Sequence, residues 1–524
     1  MKMPIENRLE NDFQALPELL KLAALARPEH PAIRQNDTMI TYGELDPLVD
    51  AIAATLQHEG LTPGQAVAIC AASTVRYVAL YMGIVRAGGI VAPLPITAKS
   101  AHLDAMLDNS QAQWLFLDQS CDQAWPEQRH HANLHRIAID DSSVATPWSQ
   151  WLRTGTEPEP YQPQPDTPFN LIYSSGTTGV PKGIVQPHGM RWSHTQRGWI
   201  NGYRPDSVVI TATPLYSNTT LVAVLPSLAI GATVIVMDKF DAQTFLELCH
   251  QYRATHTILV PIQYQRILDH PAFDQYDLTS FQCKTSTSAP FSPELMARAL
   301  KHWPGKLIEI YGMTEGGGRC ELHAHDHPDK LHTVGSVAPG SDIRIIDDEG
   351  NELPQGQSGE IVGRSAAMMN QYYRQPEQTR DAFWFSSDGH RFIRTGDVGR
   401  FDEDGFLILG DRKKDMLISG GFNIYPKDLE AELIEHPDVL ECTVIGVAST
   451  RWGETPVGYV VLKPNSNLDE NTLLQWVNAR LGRMQRLSQI VFIDQLPRNP
   501  IGKVLKRELR DIFAQTYGVL HQDG

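Results

Sequence analysis

The sequence is poor in cysteine and places no two cysteines close together. Six occur among 524 residues, with no Cys-x-x-Cys pair. Their spacing excludes a disulfide-rich scaffold and offers no cysteine ligand set for zinc. We expect buried, reduced thiols, as in a cytoplasmic protein, at Cys70, Cys121, Cys249, Cys283, Cys320 and Cys442.

Positive charge and long apolar runs are also scarce. Lysine and arginine number 45 against 61 acidic residues, which gives a net charge of -16 and argues against nucleic acid as a partner. The most apolar stretch, residues 221–237, is interrupted by Pro226 and Gly231. It predicts a helix, a glycine stop and a strand rather than a membrane span.

Neither end of the sequence suggests a targeting signal. The first residues mix acids with bases and lack an apolar core, and the last six, VLHQDG, contain no peroxisomal address. These features predict a cytoplasmic protein with small-molecule partners and no integral membrane segment. A homodimer is left open.

The length and the patterning predict an α/β protein of more than one domain. From about residue 30 to residue 315, β-branched runs alternate with amphipathic stretches, as in parallel βα units. Thr41 and Glu44 predict a capping box that opens a helix ending at Gly60. The first series of predicted strands lies at 66–70, 90–94 and 114–118.

A proline-rich stretch at 157–168 separates this series from a second one of the same kind. Short alternating strands then predict a β-barrel-like segment to about residue 411, followed by a small α+β domain. The predicted fold is a large N-terminal domain, with two doubly wound sheets and the barrel-like segment, and a small C-terminal domain. The second series of predicted strands lies at 170–173, 208–213, 233–237, 257–261 and 306–311.

The most informative motif is SSGTTGVPKG at residues 174–183, directly after an apolar strand. Three glycines and four hydroxyl side chains can surround phosphate oxygens with N–H and O–H donors, and Lys182 adds a positive charge. The motif is not a Walker A loop, because Pro181 precedes the lysine and Gly183 follows it. The alternative is an ordinary serine- and glycine-rich surface turn.

This motif resembles the phosphate loop of the adenylate-forming superfamily, which includes acyl-CoA synthetases, aryl-CoA ligases, luciferases and peptide-synthetase adenylation domains. Acyl- and aryl-CoA ligases are the most similar group. Four further segments resemble family motifs in the family's order: YGMTE at 311–315, RTGD at 394–397, GDRKKDMLISGGFNIYP at 410–426 and PRNPIGKVLKREL at 497–509. The resemblance covers nearly the whole chain.

The resemblance implies a nucleotide site with ATP and Mg²⁺. Tyr311 would present a ring to the adenine, Thr314 would contact the α-phosphate, Glu315 would bind the metal and Asp397 would bind the ribose. Each of these residues, considered alone, could instead have a purely structural role, such as that of a core tyrosine or of a surface ion pair. The residues so assigned to ATP or AMP are Ser174, Ser175, Gly176, Thr177, Thr178, Gly179, Lys182, Ser288, Ala289, Pro290, Tyr311, Gly312, Met313, Asp397 and Arg412.

The family reaction has two steps, and the resemblance implies both for this chain. A carboxylate attacks the α-phosphorus of ATP and releases pyrophosphate, and a thiol, here coenzyme A, then displaces AMP. Lys503, Thr314 and Glu315 are the implied catalytic residues; the cations that follow Lys503 are taken as a solvated helix face. No general base is needed, because a carboxylic acid is already ionised at neutral pH.

Between the steps, the family rotates its C-terminal domain. The resemblance therefore implies an ATP- and acyl-binding domain at 1–412 and a mobile domain at 413–524 that carries Lys503. Lys414 matches the hinge position. The residues that match the CoA-binding positions are Gly420, Gly421, Trp452 and Arg483.

The acyl pocket is the part of the family that varies. Many CoA ligases carry an aromatic-histidine pair in the segment that begins at Pro214, and this chain has Ser217 in place of the histidine. Gly316–Gly318 either make space for a sizeable acyl group or serve backbone geometry alone. An apolar fatty or aromatic acid is the expected substrate, with pocket candidates His188, Tyr216, Ser217, Asn218, Gly312, Met313 and Gly317.

Two other functions are weighed against the CoA ligase. A standalone enzyme that loads an acyl carrier protein would show the same motifs. A catalytically silent nucleotide-binding protein would show degraded ones, whereas Lys182, Glu315, Asp397, Arg412 and Lys503 are all present. An amino-acid activation domain is disfavoured, because residues 214–220 contain no aspartate to bind an α-amine.

Overall fold

The structure, a computed structural model, describes residues 8–9, 13–130, 133–174, 181–412, 417–419, 422–482, 485–499 and 502–520. The chain divides into two compact units. The first comprises Met1–Ile343 and Gly363–Ile393, and the second comprises Arg344–Val362 and Arg394–Gly524. The predicted boundary between 412 and 413 stays a prediction.

The first unit contains two large sheets with helices between their strands. Its described helices are α1 (Leu16–Ala26), α2 (Tyr42–His58), α3 (Val75–Arg86), α4 (Ser100–Ser110), α5 (Gln119–Ala124), α6 (Trp148–Trp151), α7 (His188–Ile200), α8 (Asn218–Ile230), α9 (Ala242–Tyr252), α10 (Pro261–Leu268), α11 (Pro293–His302) and α12 (Pro376–Asp381).

The first sheet has eight strands in the order β19-β9-β8-β4-β3-β5-β6-β7. The strands are β3 (Ala66–Cys70), β4 (Ile90–Pro93), β5 (Trp114–Leu117), β6 (His135–Ala138), β7 (Thr146–Pro147), β8 (Pro168–Ser174), β9 (Lys182–Pro187) and β19 (Gln371–Tyr372). Strands β8, β4, β3, β5, β6 and β7 run parallel, whereas β9 is antiparallel to both of its neighbours.

The second sheet has nine strands in the order β16-β15-β14-β13-β12-β10-β11-β1-β2. The strands are β1 (Pro31–Gln35), β2 (Thr38–Thr41), β10 (Val208–Thr211), β11 (Thr233–Val236), β12 (His256–Leu259), β13 (Cys283–Thr287), β14 (Lys306–Tyr311), β15 (Cys320–His323) and β16 (Ser336–Val337). The six central strands, β14 to β1, are parallel, and antiparallel strands close both edges.

One buried apolar cluster joins the two sheets. It contains side chains of both sheets together with those of α1, α2, α3 and α8. The fully buried strands AVAIC and TVIV lack polar alternation, as expected for a parallel sheet covered on both faces. The two doubly wound sheets predicted from the sequence are confirmed, and they share one core.

A third sheet, of five strands, follows the second series in the chain. Its order is β17-β18-β21-β20, with β22 paired to β21. The strands are β17 (Ser341–Ile346), β18 (Gly359–Ser365), β20 (Phe383–Phe385), β21 (Arg391–Phe401) and β22 (Leu407–Arg412). The division between the two compact units passes inside β17, β18 and β21.

The second unit carries a further five-stranded sheet in the order β24-β23-β26-β25, with β27 beside β26. The elements are β23 (Leu417–Ser419), β24 (Phe422–Ile424), α13 (Pro426–Ile434), β25 (Val439–Ser449), β26 (Gly453–Leu462), α14 (Glu470–Asn478), β27 (Gln489–Phe492) and α15 (Lys506–Thr516). Alternate residues of β25 and β26 pack with α13 and α14 in one apolar cluster and with α15 in another, as period-two strands require.

Local signals in the sequence account for several helix ends. At the start of α2, Oγ1 of Thr41 accepts a hydrogen bond from the Glu44 amide at 3.3 Å, and Oε2 of Glu44 accepts one from the Thr41 amide at 2.9 Å. The predicted capping box is therefore confirmed. The predicted helix, glycine stop and strand in 221–237 are also confirmed, as α8, a left-handed Gly231 and β11.

No helix in the described ranges is both long enough and apolar enough to cross a bilayer.

Three histidines are buried in the first unit as neutral groups. Burial lowers the pKa of His188 to about 3 and that of His256 to about 4, and burial beside Arg197 and Arg191 holds the pKa of His194 well below its usual value. In the unfolded chain each would bind a proton near pH 6.5. The unfolded state thus binds more protons than the folded state below that pH, so stability falls as the pH drops.

We predict that His256→Gln weakens this pH dependence. Between about pH 5 and pH 6, His256 should make the free energy of unfolding of the wild type rise by about 1.4 kcal/mol per pH unit. The variant should lack this contribution to the slope. Urea unfolding followed by tryptophan fluorescence measures it. His102→Gln, which changes an exposed histidine, is the control. Equal slopes in all three proteins would contradict the prediction.

Candidate nucleotide and acyl site

The predicted phosphate loop connects two antiparallel strands of the first sheet. Ser174 ends β8 and pairs with Lys182, the first residue of β9. The connecting residues predicted to hold phosphate, Ser175, Gly176, Thr177, Thr178 and Gly179, lie outside the described residues. The ammonium group of Lys182 lies 5.0 Å from the centre of the Tyr372 ring, a cation–π distance.

Glu315 is the buried acid of the YGMTE segment, which begins at Tyr311, the last residue of β14. The Tyr372 hydroxyl donates a hydrogen bond of 2.9 Å to Oε1 of Glu315. Burial and the neighbouring carboxylate raise the pKa of Tyr372, so this hydroxyl keeps its proton. Because β19 pairs Tyr372 with Ile184 of β9, the first sheet places this tyrosine between Glu315 and Lys182.

The glycines that follow Glu315 are held by close backbone contacts. Gly316 has φ of +77°, and a Cβ atom there would lie 2.0 Å from the Ala367 carbonyl oxygen. At Gly317, φ is +90°, and a Cβ would meet the Gly363 carbonyl oxygen at 2.8 Å. These contacts favour the alternative that the glycines serve backbone geometry. Pocket space at Gly317 stays a prediction.

The predicted adenine loop is connected to the predicted acyl segment. Ser288 adopts a left-handed conformation, with φ of +76°, and its hydroxyl lies 2.8 Å from the hydroxyl of Thr219. Thr287 donates a hydrogen bond of 2.8 Å to the carbonyl oxygen of Ile310, one residue before Tyr311. The loop at 288–290 and the segment at 214–220 therefore occupy neighbouring positions.

Ser217 caps the N-terminus of a helix, a position that favours serine over histidine. It is the N-cap of α8, and its hydroxyl oxygen accepts a hydrogen bond of 3.3 Å from the Thr219 amide. Tyr216, just before it, is partly buried, with its hydroxyl 3.4 Å from that of Thr97. The departure from the family pattern at this position thus coincides with a helix start.

Asn218 belongs to a buried network centred on Arg191, which is 1% exposed. The guanidinium donates to Oδ1 of Asn218 at 3.0 Å, to Oδ1 of Asn170 at 2.8 and 3.0 Å, and to Oε1 of Gln186. Gln186 in turn donates to the carbonyl oxygen of Thr314 at 2.7 Å. The network therefore fixes an acyl-pocket candidate and the backbone of a catalytic candidate together.

Arg191 is a buried cation surrounded by amide oxygens. No carboxylate among the described residues forms an ion pair with it. Burial lowers the pKa of Arg191 to about 10, so it stays charged at neutral pH. Such an arrangement keeps positive charge beside Asn218 and the Thr314 backbone, where an anionic substrate would gain from it.

His188 is surrounded by aromatic rings. Its ring meets Phe169 edge-on, with centroids 4.8 Å apart, and Phe13 at 6.4 Å. Its lowered pKa keeps it neutral, so it offers no positive charge to a substrate carboxylate. The structural interpretation of this histidine is the one that these contacts favour.

The second unit holds the remaining described candidates. Asp397 pairs with Arg412 in the β21–β22 ladder, and its amide donates a hydrogen bond of 3.0 Å to the Thr395 hydroxyl oxygen. Trp452 lies under the Arg451 guanidinium at 4.8 Å. Lys503 is exposed on a short loop, where its amide donates to Oδ1 of Asn499 at 2.8 Å.

The remaining calls on the second unit fall on residues that the structure does not describe. These are the hinge candidate Lys414 and three of the four CoA candidates, namely Gly420, Gly421 and Arg483.

Comparisons with known proteins show which family the chain belongs to. The model of the AMP-binding enzyme family matches residues 20–373, and that of the AMP-binding enzyme C-terminal domain matches residues 428–503. The chain belongs to the AMP-binding enzyme family.

Three relatives show the extent of the similarity. An indoleacetate–CoA ligase of Aromatoleum aromaticum is 31% identical over 522 residues, 95% of this chain and 98% of that protein. A fatty acid–[acyl-carrier-protein] ligase, ScoC, of Streptomyces coeruleorubidus is 30% identical over 511 residues, 96% of this chain and 97% of that protein. The crystal structure of ATP-bound MatB from Rhodopseudomonas palustris has a TM-score of 0.84 at 28% identity, and the match covers 96% of this chain and 100% of that chain.

Tyr372 and Arg191 are site residues that the motifs do not reveal. Tyr372 lies 57 residues after Glu315 in the chain. Arg191 follows the phosphate loop but reads as an ordinary polar residue of a helix. One weak signal was available for Arg191, since it stands between the large apolar residues Met190 and Trp192, and an arginine flanked by residues that are usually buried needs a partner if it is buried with them.

We predict that Tyr372→Phe weakens magnesium-dependent use of ATP while the fold persists. The variant loses the hydroxyl that donates to Glu315, the carboxylate predicted from the motif to bind Mg²⁺, and losing such a partner typically costs about 10-fold to 100-fold in metal affinity. The Mg²⁺ dependence of pyrophosphate release measures the effect. Tyr373→Phe is the matched control; an unchanged Mg²⁺ requirement in Tyr372→Phe would refute the role of the hydroxyl.

We predict that Arg191→Lys lowers the free energy of unfolding of the first unit by about 1–3 kcal/mol. An ammonium group keeps the charge but cannot reach the three amide oxygens that the planar guanidinium spans. Urea unfolding provides the measurement, with Arg266→Lys, which changes an exposed arginine of α10, as the control. A midpoint equal to that of the wild type would show that the network contributes no stability.

Proposed function

We propose that the chain is an ATP-dependent carboxylate–CoA ligase that forms AMP. In the first step, a carboxylate oxygen bonds to the α-phosphorus of ATP and pyrophosphate leaves, which gives an acyl-adenylate. In the second step, the sulfur of coenzyme A bonds to the acyl carbon and AMP leaves with the carboxylate oxygen. The observation that carries the proposal is the meeting of Glu315, Tyr372 and Lys182 in a member of the AMP-binding enzyme family.

The residues fit a magnesium ion. The Glu315 carboxylate is buried, and among the described residues it accepts a hydrogen bond at Oε1 alone. Carboxylate and phosphate oxygens are the ligands that this hard cation prefers. When bound, the ion would neutralise phosphate charge during the departure of pyrophosphate. Tyr372 would hold the carboxylate in place.

We assign the other nucleotide contacts by their positions in the motifs. Tyr311 and the loop at 288–290 would enclose the adenine, and Thr314 would contact the α-phosphate. Asp397 would bind the ribose, and Arg412 would bind the ribose or a phosphate. Lys182 would pair with the departing phosphates. These groups bind and orient the reactants, which suffices because an ionised carboxylate needs no base to activate it.

Lys503 is proposed to act in the first step alone. A lysine ammonium near the attacking carboxylate and the α-phosphate offsets the negative charge that they bring together. Next to it, Gly502 has φ of +78°, and Arg498 donates a hydrogen bond of 2.7 Å to the Gly502 carbonyl oxygen. We propose a division into domains at 1–412 and 413–524, with Lys414 as the hinge between the two steps.

The proposed substrate is an aromatic or a medium- to long-chain fatty acid. The indoleacetate–CoA ligase and the fatty acid ligase ScoC support this choice by their similarity along nearly the whole chain. Tyr216 and Met313 are candidates to contact the apolar part of the acid, and Asn218 is a candidate to contact its polar end. His188 is a weaker candidate, because it packs against Phe169.

The proposed acceptor is coenzyme A, in the cytoplasm, with Gly420, Gly421, Trp452 and Arg483 as candidate contacts. A carrier-protein acceptor is the second candidate, because ScoC is almost as similar to this chain as the indoleacetate ligase. The two acceptors share the phosphopantetheine thiol, so the first step is common to both.

The test is pyrophosphate release with ATP and Mg²⁺ over a panel of acids. Acetate, medium and long fatty acids, benzoates, cinnamates, indoleacetate and amino acids would be compared, with products identified by mass spectrometry. Acyl-CoA and AMP, formed only with coenzyme A, would support the proposal. Acyl-adenylate that reacts with a phosphopantetheinylated carrier protein instead would favour the second candidate. Absence of pyrophosphate with every acid would overturn both.

We predict that Lys503→Ala separates the two steps. Adenylate formation should fall by at least about 100-fold, because the variant lacks the charge that offsets the developing negative charge. Conversion of supplied acyl-adenylate to acyl-CoA should stay within about threefold of the wild type. Arg507→Ala, which changes an exposed cation of α15, is the control. Equal losses in both steps would contradict the assignment.

A further inference from the structure

A group of metal-ligating side chains lies at the end of β15, away from the nucleotide motif. His323 is the last residue of the strand, and His325 and Asp326 follow it in a turn. One ligand atom from each residue lies within 4.8 Å of the other two. Because β15 is antiparallel to β14, His323 is opposite Ile308, whereas Cys320 is opposite Tyr311. Three residues of strand, roughly 10 Å, therefore separate this group from the adenine motif.

His325 is oriented as a metal ligand. Its Nδ1 lies 3.2 Å from the carbonyl oxygen of Leu307. A carbonyl oxygen only accepts hydrogen bonds, so Nδ1 carries the proton and Nε2 carries the lone pair. This pattern, in which one ring nitrogen is fixed by a backbone carbonyl and the other is left as a ligand, is the usual one for histidines that bind metal.

The Nε2 atom of His325 is buried and has no hydrogen-bond partner among the described residues. Oδ2 of Asp326 lies 3.2 Å from it, within ion-pair distance, but the two atoms do not form a hydrogen bond of acceptable direction. A buried acceptor without a partner is costly. Two lone-pair atoms at this separation match neighbouring ligands of one small cation, which stand about 3.3 Å apart around a tetrahedral zinc ion.

His323 completes the group and is the most adaptable ligand. Its side chain is 42% exposed, so rotation about its side-chain bonds can bring a ring nitrogen closer to the other two ligands. Its Nε2 lies 3.7 Å from Oε2 of Glu321, and that carboxylate is already paired with Nε of Arg319 at 2.8 Å. Glu321 therefore pairs with Nε2 of His323, as carboxylates commonly do with metal-binding histidines, and leaves Nδ1 of His323 as the ligand atom.

We propose that His323, His325 and Asp326 bind one divalent transition-metal ion of the zinc type, with water as the remaining ligand. Two imidazoles and one carboxylate favour zinc, cobalt or nickel over magnesium, which prefers oxygen ligands. The ion would satisfy the buried nitrogen and tie the turn after β15 to β14 through Leu307. This site is separate from Glu315 and does not depend on the proposed ligase activity.

The test is a zinc titration of the whole protein by isothermal calorimetry, without nucleotide. The wild type should bind one more equivalent of Zn²⁺ than the double variant His323→Gln/His325→Gln, and Asp326→Asn should weaken that equivalent by about tenfold or more. The electronic absorption of bound Co²⁺ should report nitrogen and oxygen ligands in the wild type and disappear in the double variant.

His302→Gln, which removes an exposed histidine at the end of α11, is the control and should bind like the wild type. The thermal unfolding midpoint without metal is measured for every variant. If the double variant unfolds early, the exposed Asp326→Asn decides the outcome, because that side chain is 63% exposed. Identical zinc isotherms for the wild type and Asp326→Asn, or an equal loss in His302→Gln, would overturn the proposal by showing only adventitious binding.

Discussion

The site in the first unit depends on one buried guanidinium. Arg191 lies in α7, yet its hydrogen bonds reach β8, β9 and the start of α8, through Asn170, Gln186 and Asn218. Gln186 extends this network to the backbone of Thr314. A charge in a protein interior is tolerated only when its donors are satisfied, so the three amide side chains hold both the cation and each other in fixed positions. The network therefore fixes the positions of Asn218 and of the backbone at Thr314, next to Glu315.

Much of the fold follows from the sequence, because parallel βα units have a strong local signature. The apolar strand Ala66–Cys70, the capping box at Thr41 and the glycine stop at Gly231 each depend on neighbouring residues alone. Strand β13 is harder to find, since CKTST reads as polar. It forms because it pairs with β12 and β14, and because buried Lys284 donates to three carbonyl oxygens that close the turn before β14.

The candidate site also contains some residues that local sequence reveals and others that only the three-dimensional structure reveals. Motifs in the sequence point to Lys182, Tyr311 and Glu315, because a site that binds phosphates and a nucleotide constrains residues that are contiguous in the chain. Tyr372 and Arg191 act at a distance along the chain, through a strand pairing and a buried network that single-sequence patterns do not encode. Ser217 also gains a physical explanation, since its hydroxyl caps the start of α8.

In the proposed reaction, a carboxylate attacks the α-phosphorus and later leaves one of its oxygens on AMP. To test this, the acid is supplied with heavy oxygen in both carboxylate positions. Mass spectrometry then measures the heavy-oxygen content of the AMP that forms in the presence of coenzyme A. We expect one labelled oxygen in each AMP and one in each thioester. AMP without label, formed while ATP is consumed, would mean that water attacks the α-phosphorus and would overturn the proposed reaction.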